Sequence, residues 1–361
     1  MIPVAKWMVR TVMVAAVLAG LASAASAAQN VANASQKGSL LIFPLIDVRP
    51  GNNTVIRIAN DANTHVDVKC YYVNQTKFRR DFVFKLTKKQ AVVWDAAHGD
   101  AEPIGSLPPF PTASGPIPGN PFLGELVCFA VNAAGSAQIS HNHLSGTATV
   151  GFARDGAEAV LQSSYEYNSW NFAARDVTIG NRVGTPGRLE LTGAAGAYDA
   201  CPLYNIVHFS PTGSVNGNGT HADYRIGVSS CLQDLRQDFA PHFTKLRFHV
   251  WNAHEVKFTG AWECANSTDS FLLTELDVLP ENTSRDVLGT TAAHAQIQGI
   301  ASTQCPGSVA AGLVAVAARV LRDHEREVPL HGTTTNHAGA QPGFILWDPQ
   351  DDVVPEKAPS R

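Results

Sequence analysis

Val66-Asp67-Val68-Lys69-Cys70-Tyr71-Tyr72 decides how this chain reads. Val66, Val68, Cys70 and Tyr72 share one parity, while His65, Asp67 and Lys69 take the other. Successive side chains of a strand point to opposite faces, so the first set is expected against a core and the second towards water. Phe82, Phe84 and Leu86 repeat the pattern against Asp81, Lys85 and Thr87, and Val92 with Trp94 closes a further strand. Alternating runs separated by polar turns predict a half-buried antiparallel sheet.

Similar signals extend in both directions. Upstream, Ser39-Leu40-Leu41-Ile42-Phe43-Pro44 reads as a short buried strand stopped by proline. Pro50-Gly51-Asn52-Asn53 is a turn, and 55–59 is the next strand. Downstream, strands are expected over 126–131, 148–152, 203–209, 224–228 and 271–278. Leu246, Phe248 and Val250 alternate with Lys245, Arg247 and His249. Val256, Phe258, Trp262 and Cys264 alternate with Lys257, Thr259 and Glu263, which gives Trp262 and Cys264 inward parity. The run 309–321 is open to a helix, being Ala-rich with Arg319 and Arg322 near its end, while its valines and β surroundings favour a strand. With 29 Gly, 21 Pro and only 16% charged residues, the chain is rich in turns and poor in charged helical faces.

This spacing of strands and turns resembles immunoglobulin-like sandwiches, a resemblance that implies architecture and no activity. The strings Lys37-Gly38-Ser39-Leu40-Leu41-Ile42-Phe43-Pro44 and Asn142-His143-Leu144-Ser145-Gly146 are similar to stretches of uncharacterised exported bacterial β-rich proteins, which implies export and fold only. The expected fold is therefore all-β: two antiparallel β-sandwich (immunoglobulin-like) domains after a cleaved signal peptide. The signal peptide spans 1–28. The first domain spans 37–179 and carries a Pro-rich loop at 99–121. A Gly-rich junction follows at 180–197, then the second domain at 198–347 and a frayed tail at 348–361. Prolines cannot donate ladder hydrogen bonds, so 99–121 reads as a stiff surface connection, with a lid or polyproline ligand as the functional alternative.

The first residues set the compartment. Lys6 and Arg10 form a basic start, an apolar run covers 11–21, and Ala25-Ser26-Ala27 has the small-x-small form that a signal peptidase accepts. The apolar run is short and Ala-rich for a membrane span, and no later segment reaches span length. Export to the periplasm or the extracellular space is expected, with no membrane span after cleavage. The chain has 27 basic and 31 acidic residues, evenly spread, which argues against a nucleic-acid partner.

Export makes the cysteines informative. Cys70, Cys128, Cys201, Cys231, Cys264 and Cys305 are even in number, and none forms a C-x-x-C redox or zinc site. The expected disulfides run in chain order, Cys70–Cys128, Cys201–Cys231 and Cys264–Cys305, because each then stays within one proposed half. Free buried thiols are the alternative.

Catalytic constellations are incomplete. Gly227-Val228-Ser229-Ser230-Cys231 misses the last glycine of a nucleophile elbow and lies in a strand context. His254-Glu255 and His324-Glu325 lack the second histidine of H-E-x-x-H. His141-Asn142-His143 would put two imidazoles on one strand face, with His65, His98, His221 or His254 as possible third ligands. Loop 216–223 lacks the spaced acids of a calcium site, and the pairs Glu166/Asp176 and Asp234/Asp238 need folding to converge them. Trp170, Trp251, Trp262 and Trp347 are candidates for a sugar-stacking platform or for packing. No catalytic residue and no cofactor is assigned; His141 and His143 are the alternative metal pair. The expected function is a non-enzymatic envelope or extracellular protein in assembly, adhesion or scaffolding, with a protein partner. Alternatives are a glycan or small-ligand module near the Pro-rich loop and the aromatics of 165–172, and a hydrolase or metalloenzyme.

Overall fold

The strands begin at β1 (Leu40–Asp47), which is apolar at nearly every position and buried at all of them. It is followed by β2 (Asn52–Asn60), β3 (Val66–Asn74), β4 (Arg79–Leu86), β5 (Ala91–Asp95), β6 (Asp100–Glu102) and β7 (Gly105–Ser106). Next come β8 (Leu123–Val131), β9 (Leu144–Ala153), β10 (Leu161–Asn168), β11 (Trp170–Phe172) and β12 (Arg188–Leu191). The second half holds β13 (Cys201–Phe209), β14 (Gly213–Ser214), β15 (His221–Ser230), β16 (Leu232–Asp234), β17 (Phe243–Asn252) and β18 (Lys257–Asn266). It ends with β19 (Thr268–Leu272), β20 (Ala293–Ile300), β21 (Leu313–Arg322), β22 (Glu327–Thr334), β23 (Asn336–Gln341) and β24 (Gly343–Leu346).

This computed structural model describes residues 30–49, 51–74, 77–110, 123–153, 161–211, 213–214, 221–236, 241–276, 285–322 and 327–350. Residues 1–28, expected as a signal peptide, residues 111–121 of the Pro-rich stretch, 215–220 of the Gly-rich loop, Asp238 and the tail beyond 350 lie outside them. The described residues are all-β, with 61% strand and 2% helix.

The expected two immunoglobulin-like sandwich domains are corrected by the sheet topology. The strands form four sheets: β11-β1-β8-β3-β4, β10-β9-β2-β5-β6-β7, β12-β24-β16, and a ten-stranded sheet β22-β21-β15-β19-β18-β17-β20-β13-β23 with β14 on β15. They share cores across the two halves. One core takes Leu40, Ile42, Tyr71 and Phe129 from the first half together with Cys231, Val314, Ile345 and Trp347 from the second. Strand β21 feeds all three cores: Val314 enters this one, Val316 and Ala318 enter the core of the first two sheets, and Leu313, Ala315 and Ala317 enter the third. The stretch 180–197, expected as a junction, contributes β12, which pairs with β24 at Arg188–Leu346 through Leu191–Gly343.

The physical reason lies in the second face of the β1-β8-β3 sheet. Val66, Val68, Cys70 and Tyr72 do face the first core. Lys69, expected towards water, and Tyr71 on the same face are also fully buried, because β12, β24 and Trp347 cover that side. The Lys69 ammonium lies 5.3 Å from the ring centres of both Tyr71 and Trp347 and 3.7 Å from Asp81. A paired cation of this kind is tolerated where a lone one is not. A sheet covered on both faces cannot serve as one layer of a two-layer sandwich.

Two local expectations also change. Pro44 does not stop β1; the strand runs on to Asp47 through a register shift between Phe43 and Ile46. An irregularity is where a sheet accepts a residue without a donor. In β18 the ladder pairs His249 with Thr259 and then Arg247 with Trp262, so β18 carries one extra residue around Gly260. One inserted residue exchanges the faces of everything beyond it. Phe258 therefore packs towards the third core, while Trp262 and Cys264 point outward, opposite to their expected parity.

Candidate functional site

The disulfides join Cys70 to Cys128, Cys201 to Cys231 and Cys264 to Cys305. Cys70 and Cys128 stand opposite each other in the β3–β8 ladder, fully buried, with Cα atoms 4.1 Å apart. The second bond links the start of β13 to the bend between β15 and β16 inside a core, and the third links β18 to the loop after β20. Three such bonds fit an exported protein. No helix of the described residues is long and apolar enough to cross a membrane.

His141 and His143 lie in the turn before β9 and not on a strand face. Asn60, at the end of β2, donates Nδ2 to the carbonyls of Thr64 and Thr87, and its Oδ1 accepts from the Ala62 amide. The Nε2 of His141, 2.9 Å from that oxygen, must then be the protonated nitrogen. Burial, followed by the charge of His143, lowers the His141 pKa to about 4 against the pull of Asp61, so the ring is neutral near pH 7. His143 Nδ1 lies 2.8 Å from Asp61, whose carboxylate also receives Lys37. The two imidazoles are thus engaged with β2 and its following turn. Among the described residues no group of three or more His, Cys, Asp or Glu is placed to hold a metal.

The remaining candidates separate. Ser229 is buried within β15, in a strand and not at an elbow. Glu166 is bound to Arg57 and Thr149, Asp176 is exposed, and Asp234 is held by Arg236. Tyr165, Tyr167, Trp170 and Phe172 are buried, so the aromatics of 165–172 are packing residues and offer no ligand surface. Beside the described part of the Pro-rich stretch, an open cavity of about 530 Å³ is lined by Trp94, Asp95, Asp100, Glu102 and Pro103. Asp95 is occupied there: it accepts from Asn53 and caps the amides of Ala97 and His98.

Trp170 and Trp347 are core residues, whereas Trp251 and Trp262 stand in separate rows of the same outer face of β17 and β18. Register builds that face in rows across four strands. Lys257 of β18 stands opposite Trp251 of β17, which stands opposite His294 of β20, which stands opposite His208 of β13. The next rows hold Thr259, His249, Gln296 and Ile206, then Trp262, Arg247 and Gln298, then Cys264, Lys245 and Ile300. Trp251 stacks on His294 with ring centres 5.1 Å apart and planes 11° apart, and Lys257 covers the indole from the other side at 5.1 Å. Lys245 lies 4.8 Å over Trp262 and donates to Gln304, and Arg247 donates to Gln298. Sequence reading named Trp251 and Trp262 singly. The rows depend on pairings between distant strands, which no local pattern encodes.

No protein-family model matches the chain, and no curated protein does. Among solved structures, the chain is similar to the crystal structure of the CupB6 tip adhesin from Pseudomonas aeruginosa, at 8% identity over 88% of this chain and 94% of that one, with a TM-score of 0.14. A likeness of that size supports no argument about fold or function.

Proposed function

We infer that this is an exported protein of the envelope or extracellular space that acts through its surfaces, in assembly, adhesion or scaffolding, and not through catalysis. The observation that supports it best is the set of three disulfides, each closing a different part of an all-β body. Cross-links of this kind hold a fold where no reducing pool and no chaperone can restore it. A body so fixed presents rigid sheet faces, which suit docking of extended partners. Fractionation of the native cells with thiol labelling, followed by in-cell crosslinking, tests the reading. The expected result is a fully oxidised protein in periplasm or medium, crosslinked to an envelope component. Recovery from the cytosol with six alkylatable cysteines would sink it.

A further inference from the structure

Several cations elsewhere on the surface of this chain sit against carboxylates. Arg57 meets Glu166 at 3.0 Å on β2 and β10, Lys85 meets Asp67 at 3.6 Å on β4 and β3, and Lys37 meets Asp61. The outer face of β18-β17-β20-β13 is different. Lys257, Arg247 and Lys245 find indole rings and amide oxygens there, which satisfy geometry without cancelling charge. None of the outward positions in its rows carries Asp or Glu. The carboxylates nearest in sequence are Glu255, in the hairpin turn beyond the first row, and Glu263, on the opposite parity of β18. Three histidines, His208, His249 and His294, lie among these cations. Burial and the charges of Lys257 and Arg247 lower the pKa of His249, and burial and His208 lower that of His294, so the charge of the face rests on Lys257, Arg247 and Lys245. In a chain of net charge −4, this face keeps an uncompensated positive field.

We propose that this face binds an acidic polysaccharide. Its carboxylate or sulfate groups lie against Lys257 and Arg247, while Gln296 and Gln298 offer hydrogen bonds to sugar hydroxyls. Neighbouring positions within a row stand about 4.8 Å apart, and successive rows about 6.8 Å apart along the strands, an extended array that suits a polymer better than a compact ligand. Nucleic acid fits less well: Lys257 and His294 cover the Trp251 indole from its two sides, leaving no slot for a base to stack. The proposal rests on the reading of a surface-acting exported protein only for where the glycan is met.

Calorimetric titration of the purified, oxidised protein with heparin and with polygalacturonate tests it, with neutral dextran and a thymidine oligonucleotide as comparisons. The expected result is binding of at least one acidic polysaccharide that weakens steeply as salt is raised, with no heat from dextran. Lys257→Glu is expected to weaken it at least about five-fold and Lys257→Glu with Arg247→Gln at least about ten-fold, circular dichroism confirming the fold. Lys85→Glu, on a distant paired site, is expected to leave affinity unchanged. Absence of binding at low salt, equal affinity for dextran or the oligonucleotide, or equal losses from Lys85→Glu and Lys257→Glu would each overturn it. Polysaccharide binding by a protein found in the cytosol removes the export reading and leaves this face, and the reverse outcome removes only the glycan.

Discussion

Strands β1 and β8 are buried at every position, whereas β20 alternates buried and half-exposed residues from Ala293 to Ile300. Both regions are antiparallel and belong to the same molecule. The first lies between two cores: Leu41 and Phe43 face one, Leu40 and Ile42 the other. The second faces a single core with Ala295 and Ile297 and leaves His294, Gln296 and Gln298 outside. A face covered by protein must be apolar or fully paired, and a face left to water is free to carry charge. The uncompensated cations stand on the open face, which is where a partner can use them.

The comparison breaks most easily in the doubly covered region. Phe129 of β8 packs 5.0 Å from Trp347 and is fully buried. Phe129→Ala is expected to cost about 3–5 kcal/mol, because the hole lies between elements from both halves and neither can collapse into it. Denaturant titration checks this; a loss under about 1 kcal/mol would show that the second core is loose. The next effect is smaller. Replacing Cys70 and Cys128 together by alanine is expected to cost about 2–4 kcal/mol, and more than the same change at Cys264 and Cys305. The two loops are similar in length, with sequence separations of 58 and 41, so the difference comes from burial: both sulfurs of the first pair are enclosed, while Cys264 is partly exposed. Equal losses would show that loop closure alone sets the stabilisation.

Legibility in the sequence follows the same division. The alternation of Val66 to Tyr72 and of Phe82 to Leu86 reports one buried face correctly, because parity is a local property of a strand. The cover on the other side is not local. Lys69 looks solvent-facing until Trp347, from the far end of the chain, is placed over it. That is why the strands could be read while the immunoglobulin-like grouping failed. The inward parity expected for Trp262 and Cys264 failed for a one-residue reason, the bulge beside Gly260. The histidine pair was visible as a motif, but its partners Asn60 and Asp61 belong to another strand and its turn. The open face was invisible as a unit, since its first row joins four strands by register alone.

Titration sharpens the contrast from within the covered sheet. Glu125 of β8 is fully buried, and desolvation raises its pKa to about 7 despite a hydrogen bond from Gln233 and the charge of Lys77. The native state then keeps a proton that the unfolded chain releases near its ordinary value. Stability contributed by this group is therefore present at low pH and declines as pH rises from about 4.5 to about 7, by up to about 3 kcal/mol. His141 acts in the opposite sense: its pKa falls to about 4, so stability rises with pH between about 4 and about 6.5. Glu125→Gln is expected to remove the declining contribution and leave stability climbing through that window. Melting curves from pH 4 to pH 8 check the sign, and an unchanged profile would mean that Glu125 is hydrated in the native state.

The smallest expected effect lies on the open face, and it decides whether that face is structural. Lys257 is exposed and touches only the Trp251 ring in its row. Surface cation–π contacts contribute about 0.5–1 kcal/mol at most, and substitutions at such positions usually stay within about half a kcal/mol. Lys257→Glu is accordingly expected to shift the melting temperature by less than about 2 °C, far below the loss at Phe129. A larger drop would mean that the Lys257–Trp251–His294 stack holds β17, β18 and β20 together. The alternation along β20 would then mark a second packed layer, and the positive charge would serve the fold and not a partner.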